Sequence, residues 1–122
     1  MIAMLPLRDK SVLDALNAAE HTAYHLAYCL YEGGERTGYL LYNANPATKE
    51  AHIGIVRAES DSVADGIIRA TFGSLMDIGI DRATFDDGVD AGLLERLELT
   101  DPGTRVTSSI QNVLMHCKNC KK

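Results

Sequence analysis

The spacing of apolar positions changes several times along the chain, and each change marks an element. Met1 to Leu7 is an apolar run with room for one short strand. Ser11 stands where a helix N-cap belongs, and Val12, Leu13, Leu16 and Ala19 recur at helical spacing up to Glu20. From Tyr24 the period falls to two. Tyr24, Leu26, Tyr28 and Leu30 alternate with His25, Ala27, Cys29 and Tyr31, an aromatic-rich strand pattern. Glu32-Gly33-Gly34-Glu35 predicts a tight hairpin, because paired glycines reach positive φ at no steric cost. Arg36 to Tyr42 is the return strand. Asn43 to Lys49 is a loop in which Pro46 bars strand continuation, and Ala51 to Val56 is a third strand. Sequential strands on short loops predict an antiparallel meander.

A long helix follows. Ser60 or Ser62 caps it, and Asp61 and Asp65 suit its positive end. Ala64, Ile67, Ile68, Thr71, Phe72, Leu75 and Ile78 form one wide apolar face, and Gly79 fits the position after the helix. Arg82 to Phe85 reads as a strand, Asp86-Asp87-Gly88 as a turn, and Asp90 to Leu97 as a short helix. Asp101-Pro102-Gly103 breaks the chain again. Thr104 to Ser109 reads as a strand, and Ile110 to Met115 as a helical turn. The order predicts one α+β domain over residues 1–122, a mostly antiparallel sheet with flanking helices.

Composition narrows the function classes. A chain of 122 residues is one domain by length. A net charge of −5 and a pI near 5.2 argue against nucleic-acid or anionic-membrane binding. No apolar run approaches the ~20 residues of a membrane span. Three cysteines, an odd number, with no export signal, point to the reducing cytoplasm. The α-β-β-β-α beginning also fits a double-stranded RNA-binding domain. That reading needs a basic start to the second helix, and Ser60-Asp61-Ser62-Val63-Ala64-Asp65 is acidic.

Over residues 23–109 the chain resembles the GNAT N-acetyltransferase superfamily. Arg36-Thr37-Gly38-Tyr39-Leu40-Leu41-Tyr42 is similar to the family's "(V/I)GY" strand, and Ile53-Gly54-Ile55-Val56 to its cofactor strand. Ala64 to Ile80 resembles the long helix with its "GI" turn. Leu93-Leu94-Glu95-Arg96-Leu97 resembles the "LYEKLGF" helix without its Gly-Phe. The resemblance implies an acyl-CoA N-acyltransferase fold, truncated at its N-terminal side. About 22 residues precede the meander and allow one helix where the family has two. The acceptor side is then wide open, completed by a second subunit in a homodimer, or absent.

The resemblance also implies acetyl-CoA as cofactor. Ile55 and Val56 would supply a strand N–H to the thioester carbonyl, and Glu59, Ser60, Asp61, Ser62, Val63 and Ala64 would lie at the pyrophosphate. The family's loop there reads (R/Q)-x-x-G-x-(G/A), with small residues so that backbone N–H groups close around the diphosphate. Aligned by the helix, only Ala64 fits. Glu59 and Asp61 set two carboxylates beside that position, each costing on the order of 1 kcal/mol against an anion. Cofactor binding is therefore expected to be weak, unless Arg57 or Arg69 folds over to supply the missing positive charge.

Candidate catalytic residues for transfer to an amine are His52, which starts the cofactor strand, Glu50 on the same face, and Tyr24. His25, Tyr28, Tyr39 and Tyr42 lie on the neighbouring strands. Each has a plain alternative: a solvated histidine, or cross-strand aromatic packing. Two functional readings follow. One is an acyl-CoA-dependent N-acetyltransferase acting on an amine or other small molecule that the sequence does not name. The other is a GNAT-like ligand-sensing or protein-interaction module without catalysis.

The Cys/Lys-rich tail over residues 116–122 places His116 beside Cys117-Lys118-Asn119-Cys120. C-x-x-C can chelate metal, but a structural zinc takes four ligands and this group offers three. Protein purified without added metal should carry no stoichiometric zinc by elemental analysis. Zinc at one per chain, lost in Cys117→Ser, would show a tail site.

Overall fold

The turn at Gly33-Gly34 sets the register of the sheet. Both glycines sit at positive φ, +59° and +88°, as a two-residue type I′ turn demands. The computed structural model describes residues 2–115. The turn joins β2 (Leu26–Glu32) to β3 (Glu35–Asn45), and β3 continues antiparallel into β4 (Glu50–Arg57). β1 (Ile2–Pro6) pairs antiparallel with β2 on the outer side. β5 (Arg82–Phe85) lies parallel to β4, and β6 (Val106–Thr107) closes the other edge antiparallel to β5. The six strands thus stand in chain order.

α2 (Asp61–Asp77) covers one face of this sheet. Ile67, Ile68, Phe72 and Leu75 are buried against Leu30, Leu40 and Ile53, with Phe72 edge-on to Phe85 at 6.3 Å. α1 (Lys10–Glu20) covers part of the other face, where Leu16 packs on Ala27, Cys29 and Leu41. The middle of β2 is therefore buried on both faces, and its alternating pattern reflects two cores. Two short helices, α3 (Ala91–Arg96) and α4 (Ile110–Met115), flank β5 and β6 in the chain.

Several sequence-derived boundaries move, each for a local reason. Asp9, not Ser11, caps α1: its carboxylate accepts from the Ser11 and Val12 N–H groups at 2.9 and 3.4 Å, and the Ser11 hydroxyl donates to it as well. Ser60 caps α2, accepting from the Val63 N–H at 3.2 Å, so Ser62 lies inside the helix. Ile78 falls outside the apolar face and is 52% exposed, because it is the C-cap and leaves the helical stripe; Gly79 follows at φ +82°.

β2 begins at Leu26 rather than Tyr24, since the Tyr24 N–H and carbonyl both bond to the Asn17 side chain instead of a strand. β3 runs on to Asn45, just before Pro46, which shortens the expected loop. Of Thr104 to Ser109 only Val106–Thr107 is strand. The Thr104 hydroxyl donates to the Asp101 carbonyl and accepts from the Val106 N–H, local bonds that compete with sheet pairing. The tail cysteines lie outside the described residues.

One ion pair ties α1 to the sheet. The Glu20 carboxylate, only 10% exposed, accepts from Arg57 Nη2 at 2.6 Å and Nε at 2.8 Å, and from the Tyr39 hydroxyl. The Arg57 bonds, opposed by desolvation, hold the Glu20 carboxyl below its ordinary range. A carboxyl depressed in the folded state stabilises above its unfolded pKa of about 4.3, and that stability fades as pH falls through the lower folded value. Glu20→Gln should therefore lower the urea midpoint at pH 7, with the gap to wild type narrowing as pH falls below about 4.3. Equal midpoints at pH 7 would mean that the pair contributes nothing.

Candidate functional site

The centre of the candidate site is an irregularity in β4. Tyr42 pairs with Ile53 and Leu41 with Ile55, so Gly54 is an extra residue with no partner in β3. This is a β-bulge, and a glycine inside a run of β-branched residues is its usual mark. At the same point β4 and β5 part. Their last pair is Ile53 with Phe85, and the last bond runs from the Asp86 N–H to the Ile53 carbonyl at 2.8 Å. Beyond Gly54, residues 55–57 of β4 pair only with β3.

Four side chains gather around this parting. Tyr24 lies over Gly54 so closely that a Cβ built there would run into its ring edge and hydroxyl. The Tyr24 ring stacks on His52 with centroids 6.4 Å apart and planes at 23°. His52 Nδ1 is 2.8 Å from the Thr84 hydroxyl, which itself reaches the Ala51 carbonyl at 3.5 Å. On the other side of the ring, His52 Nε2 faces Asp86 Oδ1 at 3.4 Å. The Gly88 N–H bond, and then His52, hold the Asp86 carboxyl below its ordinary range. Burial, and then the Asp86 charge, push the Tyr24 phenol up, so it stays protonated at neutral pH.

Of the predicted catalytic residues, the structure thus brings Tyr24 and His52 together. Glu50 stands two residues back, opposite Arg82, with the charged atoms 3.4 Å apart. Glu50 and His52 share a groove of about 430 Å³ with His25, Asn43, Arg82 and Thr84 on the sheet face that α1 leaves uncovered.

The predicted cofactor residues divide. Ile55 faces the α1-side core with Tyr24, whereas Val56 and Val63 pack towards the α2 side. Val56, Glu59, Ser60, Asp61 and Ala64 line a second, smaller groove of about 210 Å³ at the start of α2. Ser62 is exposed on the first turn of α2. Neither Arg57 nor Arg69 supplies a positive charge there. Arg57 is held by Glu20, and Arg69 by Asp65 at 2.9 Å and by the Val113 carbonyl. Arg96 does so instead: from α3 it grips Asp61 at 2.8 and 3.2 Å and lies 3.9 Å from Asp90. Sequence reasoning missed Arg96, Thr84 and Asp86. Gly54 carried a readable signal. Asp86 read only as part of a turn, and nothing local connects Arg96 to a carboxylate 35 residues away. Among the described residues no group of three or more metal-ligating side chains forms, and no helix is long and apolar enough to cross a membrane.

No family model and no curated protein matches the sequence. Solved structures do match the fold. Tetrahymena GCN5 superposes with a TM-score of 0.63 at 8% identity, over 77% of this chain and 76% of that one. A GNAT family acetyltransferase from Brucella melitensis, solved with acetyl-CoA, gives 0.58 at 16% identity over 79% and 80%. The IAA acetyltransferase of Bacillus cereus gives 0.58 at 13% identity over 79% and 75%. The order of elements and these superpositions agree: the chain has the fold of the GNAT N-acetyltransferases.

Proposed function

We propose that the chain transfers an acyl group from an acyl-CoA thioester to an amine. The observation that carries this reading is the coincidence at Gly54: β4 bulges and parts from β5 where His52, Asp86 and Tyr24 converge. A thioester lying in the parting would meet strand N–H groups near Ile55 and Val56, which would polarise its carbonyl. An ammonium drawn to the Asp86 carboxylate beside the His52 ring would be held by the charge and deprotonated by the imidazole. The freed amine forms the new C–N bond as the C–S bond breaks. The ammonium's proton rests on His52, beside Asp86; the Tyr24 hydroxyl protonates the departing thiolate, and the second proton, shed by the nitrogen as it becomes an amide, returns to the Tyr24 phenolate. The residues at the start of α2 would hold the diphosphate, with Arg96 of α3 as the basic group lining that groove.

A second reading has its own support. Arg96 is engaged with Asp61, and Glu59 adds a further carboxylate at that groove. A site so arranged suits a non-catalytic module that binds some other small ligand or a protein.

Calorimetric titration separates the two. Each solvated opposing carboxylate costs about 0.5–1 kcal/mol, and one lost backbone contact about 1 kcal/mol. Acetyl-CoA should therefore bind with a dissociation constant above micromolar. Glu59→Arg with Ser62→Gly should tighten it at least tenfold, with the gain shrinking at high salt. Release of free CoA thiol across a panel of amines should fall roughly 100-fold or more in His52→Ala. No CoA binding by either protein would favour the non-catalytic module.

A further inference from the structure

We infer that the acceptor of this site is a free diamino acid, held by its amino-acid head and acylated on its far amine, an inference that rests on the acyl-transfer reading above. The observation behind it is a polar face of two rungs. Asn43, His52 and Thr84 stand side by side on β3, β4 and β5, and Asn45, Glu50 and Arg82 form the next rung. Both rungs line the groove of about 430 Å³, which leads away from the parting of β4 and β5.

The second rung carries opposite charges. Arg82 Nε lies 3.4 Å from Glu50 Oε2, and the two side chains are 47% and 57% exposed. Arg57 and Glu20 differ: they share bonds at 2.6 and 2.8 Å, with the carboxylate 10% exposed. The Glu50–Arg82 pair is loose and open enough for a ligand to engage. Its charges cancel, so it offers little net attraction to a plain amine or a plain acid. A zwitterion satisfies both members. Its ammonium on Glu50 and its carboxylate on Arg82 close a ring of four alternating charges. The spacing then selects the reacting nitrogen. Two strand residues, roughly 6.6 Å, separate the Glu50 rung from the His52 rung. The α-amine of a ligand so held is engaged at Glu50, whereas an ω-amine on a side chain of lysine length spans the gap to His52 and Asp86. That ω-nitrogen is the nucleophile of the step set out above. A lysine within a protein chain lacks the free head that this rung fits.

The test follows release of CoA thiol from saturating acetyl-CoA with three acceptors: lysine, cadaverine, which lacks the carboxylate, and aminocaproate, which lacks the α-ammonium. Lysine should exceed each of the others about tenfold in kcat/KM, chiefly through KM, the worth of one charge-assisted hydrogen bond. Mass spectrometry should place the acetyl group on the ω-nitrogen. Arg82→Gln leaves Glu50 to attract a second ammonium and should make cadaverine the better acceptor. Glu50→Gln leaves Arg82 to attract the carboxylate and should make aminocaproate the better one. Equal use of the three by wild type, acetylation of the α-nitrogen, or variants that slow all three alike overturns the head-group site while acyl transfer stands. Thiol release with other amines but none of these three does the same. No thiol release with any amine removes the acyl-transfer reading and this inference together.

Discussion

An antiparallel ladder accommodates an additional residue only by pushing it out of register, and in β4 that residue is Gly54. The other features of the site are arranged around this defect. Before the bulge, β4 holds β5 as a parallel neighbour; after it, the two strands separate. The missing side chain at Gly54 is what lets the hydroxyl end of Tyr24 close on the strand. The bulge also changes which face the later residues present. Ile55 joins the side of Tyr24 and Leu41, and Val56 turns towards α2.

The two faces of the sheet are unequal. α2 spans 17 residues and closes its side with a continuous apolar core. α1 spans 11 residues and reaches only β2, β3 and the end of β4, where Glu20 meets Arg57. The remainder of that face shows Glu50, His52, Arg82 and Thr84, polar groups that pair with one another across β4 and β5. Hydrophobic coverage thus stops where the candidate chemistry begins.

Much of the architecture was legible because its signals are local. Gly33-Gly34 named its turn, and Pro46 and Gly79 ended their elements. The period-two pattern located β2, although Asn17 drew Tyr24 away from it. Competition from side chains also displaced the boundaries at Asp9 and Thr104. The site was legible in part. Tyr24 and His52 were visible as residue types on strands, but their stacking depends on a bulge that makes Gly54 the floor. Asp86 and Arg96 act across the chain, on His52 and Asp61, and such partners leave no periodic trace in a single sequence.

The amide at Asn17 also constrains how the sequence can drift. Both of its polar ends are committed to residues 22–24. Aspartate would lose the donor to the Tyr24 carbonyl and bury a charge, and glutamine would displace both ends by a methylene. A change at position 17 therefore requires a compensating change in the segment after α1, and insertions there require a new residue at 17. In homologous chains the two stretches should vary together or not at all, while the exposed positions of α1 between them and Asp9 drift freely.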